Sequence, residues 1–254
     1  MVVGFTLIIG FILISVFAYK QSKFEQKLIK HISVVDWMNL FLTPIAMYVG
    51  VVYLVKGIIS RPYMNVLDIR DSTLVIVGLP FLIYAFVGLT VHFVSKVLWR
   101  NFKKQNMSMA YRVNEIFHGK LSHYLTTICG FLTLFMISLL ELNHPLTEAL
   151  DTNESRLMLL AGVLLGIPVA RSVFYTSNWL GGNRSLFIVA CIFLTVILLV
   201  FQFLSIQLIS YPISLFVLSS LVSFITLFIL RRVYIQAHLG NRRRLRFLAH
   251  ILWA

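Results

Sequence analysis

The stretch SLFIVACIFLTVILLVFQFLSIQLISYPISLFVLSSLVSFITLFIL, residues 185–230, contains no charged side chain. A helix rises ~1.5 Å per residue and the hydrocarbon core of a bilayer is ~30 Å thick, so about 20 apolar residues make one crossing. The stretch is long enough for two, read as spans 185–209 and 212–230. The turn of only Ser210-Tyr211 between them leaves room for the first to end earlier. Runs of the same kind recur upstream at 2–19, 37–55, 73–97, 121–141 and 157–179.

Composition agrees with that reading. The 254 residues are 59% hydrophobic and 12% charged, with a mean hydropathy of +0.89. A water-soluble domain of this length needs more charge at its surface, and the segments between the apolar runs are too short to hold one. The expected fold class is therefore an all-α integral membrane protein. It comprises a seven-transmembrane-helix bundle over 1–230 and a basic amphipathic cytoplasmic tail over 231–254. Residues 2–19 lack the positive leader of a signal peptide and read as a retained span.

Charge sets the expected threading. Seventeen of the 22 Lys and Arg fall in 20–36, 96–120, 180–184 and 231–254, against four in 56–72 and 142–156, with Arg171 inside a span. Basic residues stay on the cytoplasmic side, so the N-terminus is expected outside and the C-terminus inside, in a plasma or inner membrane. The net charge of +13 is thereby a topology and lipid signal rather than a nucleic-acid one. Two segments read as amphipathic interfacial helices. In 20–36, Lys20, Lys23, Lys27 and Lys30 alternate with Phe24, Leu28, Ile32 and Val35. In the tail, Arg242, Arg243, Arg244 and Arg246 precede Leu245, Leu248 and Leu252. Both suit anionic lipid headgroups or a cytoplasmic protein partner.

Two features carry candidate chemistry. Arg171 is expected about ten residues before a helix end at Gly181-Gly182, at a depth where a cation costs at least ~2.5–3.5 kcal/mol and faces a bundle interior, cavity or partner. Pro168 frees a backbone carbonyl one turn earlier, and Tyr84 and Tyr48 are candidate polar neighbours for an anionic ligand there. The second feature is NEIFHGKLSH, residues 114–123. On a continuous α-helix His118 and His123 lie roughly 140° apart, so one metal ion requires a break at Gly119, with His92 reaching in from the preceding hairpin. Three histidines suffice for a transition metal and two for a haem. The alternative is structural: Ser122 caps the fourth span and Gly119 ends a short cytoplasmic helix before it. His118-x4-His123 resembles the first histidine box of membrane fatty-acid desaturases, but their His-x2-His-His boxes are absent and that assignment is set aside.

Other motifs are missing. No lysine follows Lys120, so a retinal Schiff base in the last span is excluded, and there is no GxSxG, HExxH or Walker A motif. No cofactor is expected unless the histidines hold a metal or haem. The first expectation is a non-enzymatic receptor-like or accessory membrane subunit. The second is a small transporter or lipid-handling protein using Arg171, and the third is a haem or metal protein using His92, His118 and His123. In span 157–179, Gly162 and Gly166 form a GxxxG that admits a close helix neighbour.

Overall fold

A computed structural model describes residues 1–17, 27–30, 32–102, 108–174 and 184–238. Within them the chain forms α1 (Val2–Phe17), a hairpin of β1 (Leu28–Ile29) and β2 (Ile32–Ser33), and α2 (Val34–Ile59). There follow α3 (Asp71–Phe102), α4 (Met109–Leu142), α5 (Thr152–Phe174), α6 (Arg184–Phe203) and α7 (Pro212–His238). Helices α2 to α7 are long and apolar enough to cross a membrane; α1 is apolar but shorter. Their outer faces are apolar as well: Ile76, Leu79, Leu199 and Leu230 are more than half exposed. A surface covered so broadly by large apolar side chains is at home in lipid, and the chain is a predominantly helical multi-pass membrane protein.

Local chemistry sets the helix starts. The Ser33 hydroxyl accepts the Asp36 amide at 3.1 Å and fixes the start of α2. Ser108 does the same for α4 through Tyr111. Asp151 and Glu154 form a reciprocal box, each carboxylate accepting the other's backbone N–H.

Four expected boundaries are corrected. The segment 27–36 is not an amphipathic helix: it turns at Lys30, which has φ 49°, and enters α2 only after the Ser33 cap. Span 185–209 ends at Phe203, because Ser205 adopts φ 52° and the chain leaves through a 3-10 turn at Leu208–Ser210. The fourth span begins at Met109 rather than 121, with neither a cap at Ser122 nor a stop at Gly119. Finally, α7 runs on to His238, so residues 231–238 belong to the last helix rather than to a separate tail. Phe24, Lys20 and Lys23, Gly181-Gly182, and Arg242, Arg243, Leu245 and the rest of the tail basic and leucine set (Arg244, Arg246, Leu248, Leu252) lie outside the described residues.

The helices pack as two bodies. Helices α3 and α4 form an antiparallel pair in close contact along their length. In the other body, α1 lies between α2 and α5, α5 packs along α7, and α6 leans on α7. The GxxxG works as expected here. A methyl group on Gly162 would collide with the Phe216 carbonyl oxygen, and one on Gly166 would lie 2.6 Å from that of Ser220, so α5 and α7 meet backbone to backbone. Phe216, Phe224 and Phe228 of α7 are fully buried in this body.

The two bodies are tied at one end. Glu141, at the end of α4, is wholly buried, and its Oε1 accepts from Arg61 at 3.1 Å and from the Ile213 amide at 3.0 Å. Asn143 accepts the Leu67 amide and donates to the Ile69 carbonyl, and His144 meets Asp71 at 2.7 Å. Glu141-Leu142-Asn143-His144 thus pins the connection 60–71, the head of α3 and the start of α7 to one point.

Candidate functional site

The bodies stay in contact beyond the Glu141 end, where Phe131 of α4 meets Phe193 of α6 and Phe224 of α7, and beside this seam a cleft of about 1260 Å³ lies between them. One wall is built by α1, α2 and α5, with Ile12, Met47 and Val169; the other by α3 and α4, with Leu82, Phe86 and Leu134. No residue of the Glu141 network lines it. Apolar side chains make most of the surface, and the polar groups gather at one end.

That end owes its form to a π-helical turn. Residues Phe117–Leu121 hydrogen-bond i to i+5, the Ser122 amide reaching the Phe117 carbonyl. The wider turn brings residues five apart back towards one face, where an α-helix would set them roughly 140° apart. His118 and His123 therefore both face α3, with ring centroids 6.2 Å apart. The His92 ring of α3 stacks on His118 at 4.7 Å and meets His123 edge-on at 4.6 Å. The sequence expectation that a shared site needs a helix break at Gly119 is thus overturned: the helix is continuous and the hydrogen-bond slip does the work.

The cluster is braced from behind. His118 Nδ1 lies 3.4 Å from the Ser95 hydroxyl and from the His92 carbonyl, and His92 Nδ1 lies 3.4 Å from the Ser122 hydroxyl. Ser122 donates to the His118 carbonyl at 2.7 Å, Asn114 to the Ser95 carbonyl at 2.8 Å, and Trp99 to the Tyr111 hydroxyl at 3.2 Å. Two of the imidazoles lie face to face rather than pointing at a common centre. Among the described residues no group of His, Cys, Asp or Glu is arranged to hold a metal ion.

Arg171 lines the opposite wall. It sits in the last turn of the described part of α5, and its guanidinium lies over the Phe17 ring at 4.5 Å. It forms no hydrogen bond or ion pair among the described residues. Pro168 and Val169 line the cleft beside it. Tyr48 and Tyr84, expected as its neighbours, are 55% and 54% exposed on the outer surface and take no part in the cleft. Lys96, Arg112 and Lys120 border the same polar end, with Glu115 the one acid among the described residues that line it. Lys27 and Lys30 are exposed at the hairpin.

Sequence reasoning gave no site role to Arg61, Asp71, Asn143 and His144, which organise the opposite end. The available signal was Glu141-Leu-Asn143-His144, three polar side chains within four positions at the close of an apolar run. No family model matches this chain, and no curated protein or solved structure matches it.

Proposed function

We propose that the protein binds an anionic amphiphile inside its helical bundle, as a lipid-handling membrane protein. One observation carries this reading: a single cleft joins an arginine that has no polar partner among the described residues to a long apolar wall. A cation within a membrane bundle faces a ligand, a partner or water. Here it faces a space above the ~300–1,000 Å³ usual for ligand pockets, walled mainly by hydrocarbon. Arg171 holds the charged head, Pro168 and Val169 flank it, and the tail lies between the two bodies.

The threading follows the charge bias: α1 is the seventh crossing, the N-terminus is outside, and the histidine end faces the cytoplasm. The cleft stops short of the Glu141 end, which favours binding and release over passage. That suits a receptor-like or accessory subunit as well as a carrier, and the exposed basic residues add contact with anionic lipid or a cytoplasmic partner.

The test is lipid analysis of protein purified in mild detergent. Wild-type protein is expected to retain a stoichiometric anionic amphiphile, and Arg171→Gln to lose most of it while staying monodisperse. Equal retention by the two proteins, or none by the wild type, overturns the reading.

A further inference from the structure

Resting on the amphiphile-binding reading, we propose that the ligand's head is a phosphate, held between Arg171 of α5 and the histidine cluster of α3 and α4. The argument starts from charge. Among the described residues four cations, Lys96, Arg112, Lys120 and Arg171, border the polar end of the cleft against one acid, Glu115. A carboxylate head brings one negative charge. A phosphate monoester brings about −1.5 to −2 at neutral pH and three strong acceptor oxygens, so it answers this excess far better.

The geometry agrees. Arg171 approaches from one body as a donor; from the other, His92 and His118 spend their Nδ1–H on hydroxyls and a carbonyl of their own wall and present Nε2 as an acceptor, so the head must accept on one side and donate on the other. A phosphate monoester that keeps one proton does both; a carboxylate has no proton to give. The guanidinium fork suits two phosphate oxygens at once. Across the cleft, the Nδ1 atoms of His92 and His118 are turned back to Ser122, Ser95 and a carbonyl of their own wall. Among the described residues neither Nε2 of this pair, nor either nitrogen of His123, has a hydrogen-bond partner. These nitrogens are left to serve a ligand. The apolar remainder of the cleft requires a hydrocarbon tail on that phosphate.

Trp99 lines the polar end of the same cleft, two helical turns beyond His92, and serves as the reporter. The full chain carrying Trp37→Phe, Trp179→Phe and Trp253→Phe is reconstituted in phosphatidylcholine vesicles. A fixed fraction of the lipid is replaced by dibromostearoyl phosphatidic acid, dibromostearoyl phosphatidylcholine or dibromostearic acid. Bromine quenches indole at contact. Phosphatidic acid is expected to quench Trp99 several-fold more than either comparator. The preference is expected to vanish in His118→Gln/His123→Gln and in Arg171→Gln, and to survive added orthophosphate.

Equal quenching by phosphatidic acid and stearic acid, both above phosphatidylcholine, overturns the phosphate assignment and leaves amphiphile binding standing. Equal quenching by all three overturns both. Abolition of the preference by orthophosphate assigns the site to a free phosphate and overturns the amphiphile. The lipid panel on the unmutated site decides between these outcomes even if the histidine variants fail to fold.

Discussion

Glu141 closes α4 and opens α7 at once: its Oε2 accepts both the amide of Ser214, at 2.8 Å, and the hydroxyl, at 3.0 Å. A carboxylate at a helix N-terminus satisfies amides that have no partner within the helix and meets the positive end of its dipole. The contact joins the two packed bodies across residues far apart in sequence, and Arg61 completes it.

Glu141→Gln removes the charge while keeping the shape and leaves Arg61 buried without its counter-ion. Breaking one side of a buried pair costs about 3–5 kcal/mol, and exchanging both sides for neutral groups costs less. Thermal unfolding in micelles is expected to show a large loss for Glu141→Gln and a smaller one for Glu141→Gln/Arg61→Met. Additive losses in the double variant would mean the pair is not coupled.

Gly166→Leu forces α5 away from α7, because the Ser220 carbonyl oxygen and the Ser223 side chain occupy the space of any side chain. Overpacking of this kind costs about 1–3 kcal/mol, and more where backbone must move. A lowered melting temperature is expected, whereas Gly119→Ala, with open space around it, is expected to melt like the wild type.

Deleting Gly119 turns the π turn into plain α-helix. The register of 122–142 against α3 is kept, and His118 swings away from His123. The protein is expected to melt close to the wild-type temperature while the phosphatidic acid preference at Trp99 disappears. Preference retained in the deletion would show that the π turn does not build the head-group site.

Tyr211, between α6 and α7, gives an alkaline signature. Burial, and next the Glu141 carboxylate, push its phenol above the ordinary value near 10. The folded state holds this proton more tightly than the unfolded one. The contribution is therefore complete below pH ~10 and is lost as pH rises from there through the raised value. Melting curves are expected to lose stability across that alkaline window, and Tyr211→Phe to flatten the loss.

The crossings were legible because a bilayer selects for apolar length, and length is written directly in residues 185–230. The GxxxG was legible for the same reason: close approach needs small side chains, and these are visible one by one. The end of α6 was not, since Leu204, Ile206, Leu208 and Ile209 continue the apolar run while the φ of Ser205 breaks the helix. Nor was the rotation of α2 and α3, whose faces are nearly all apolar, so Tyr48 and Tyr84 gave no sign of facing outward. The π turn escaped for a deeper reason: a hydrogen-bond slip of one residue leaves no mark in composition. Every angle calculated for His118 and His123 assumed 3.6 residues per turn. The Glu141 network needed tertiary structure, because its partners come from three separated segments.

The cleft ends short of Glu141, so no path runs along it to that end of the bundle while the Glu141–Arg61 pair holds. If the cleft takes up a lipid as proposed, cargo can reach the far side only by parting these two side chains, which makes the pair a latch as well as a brace.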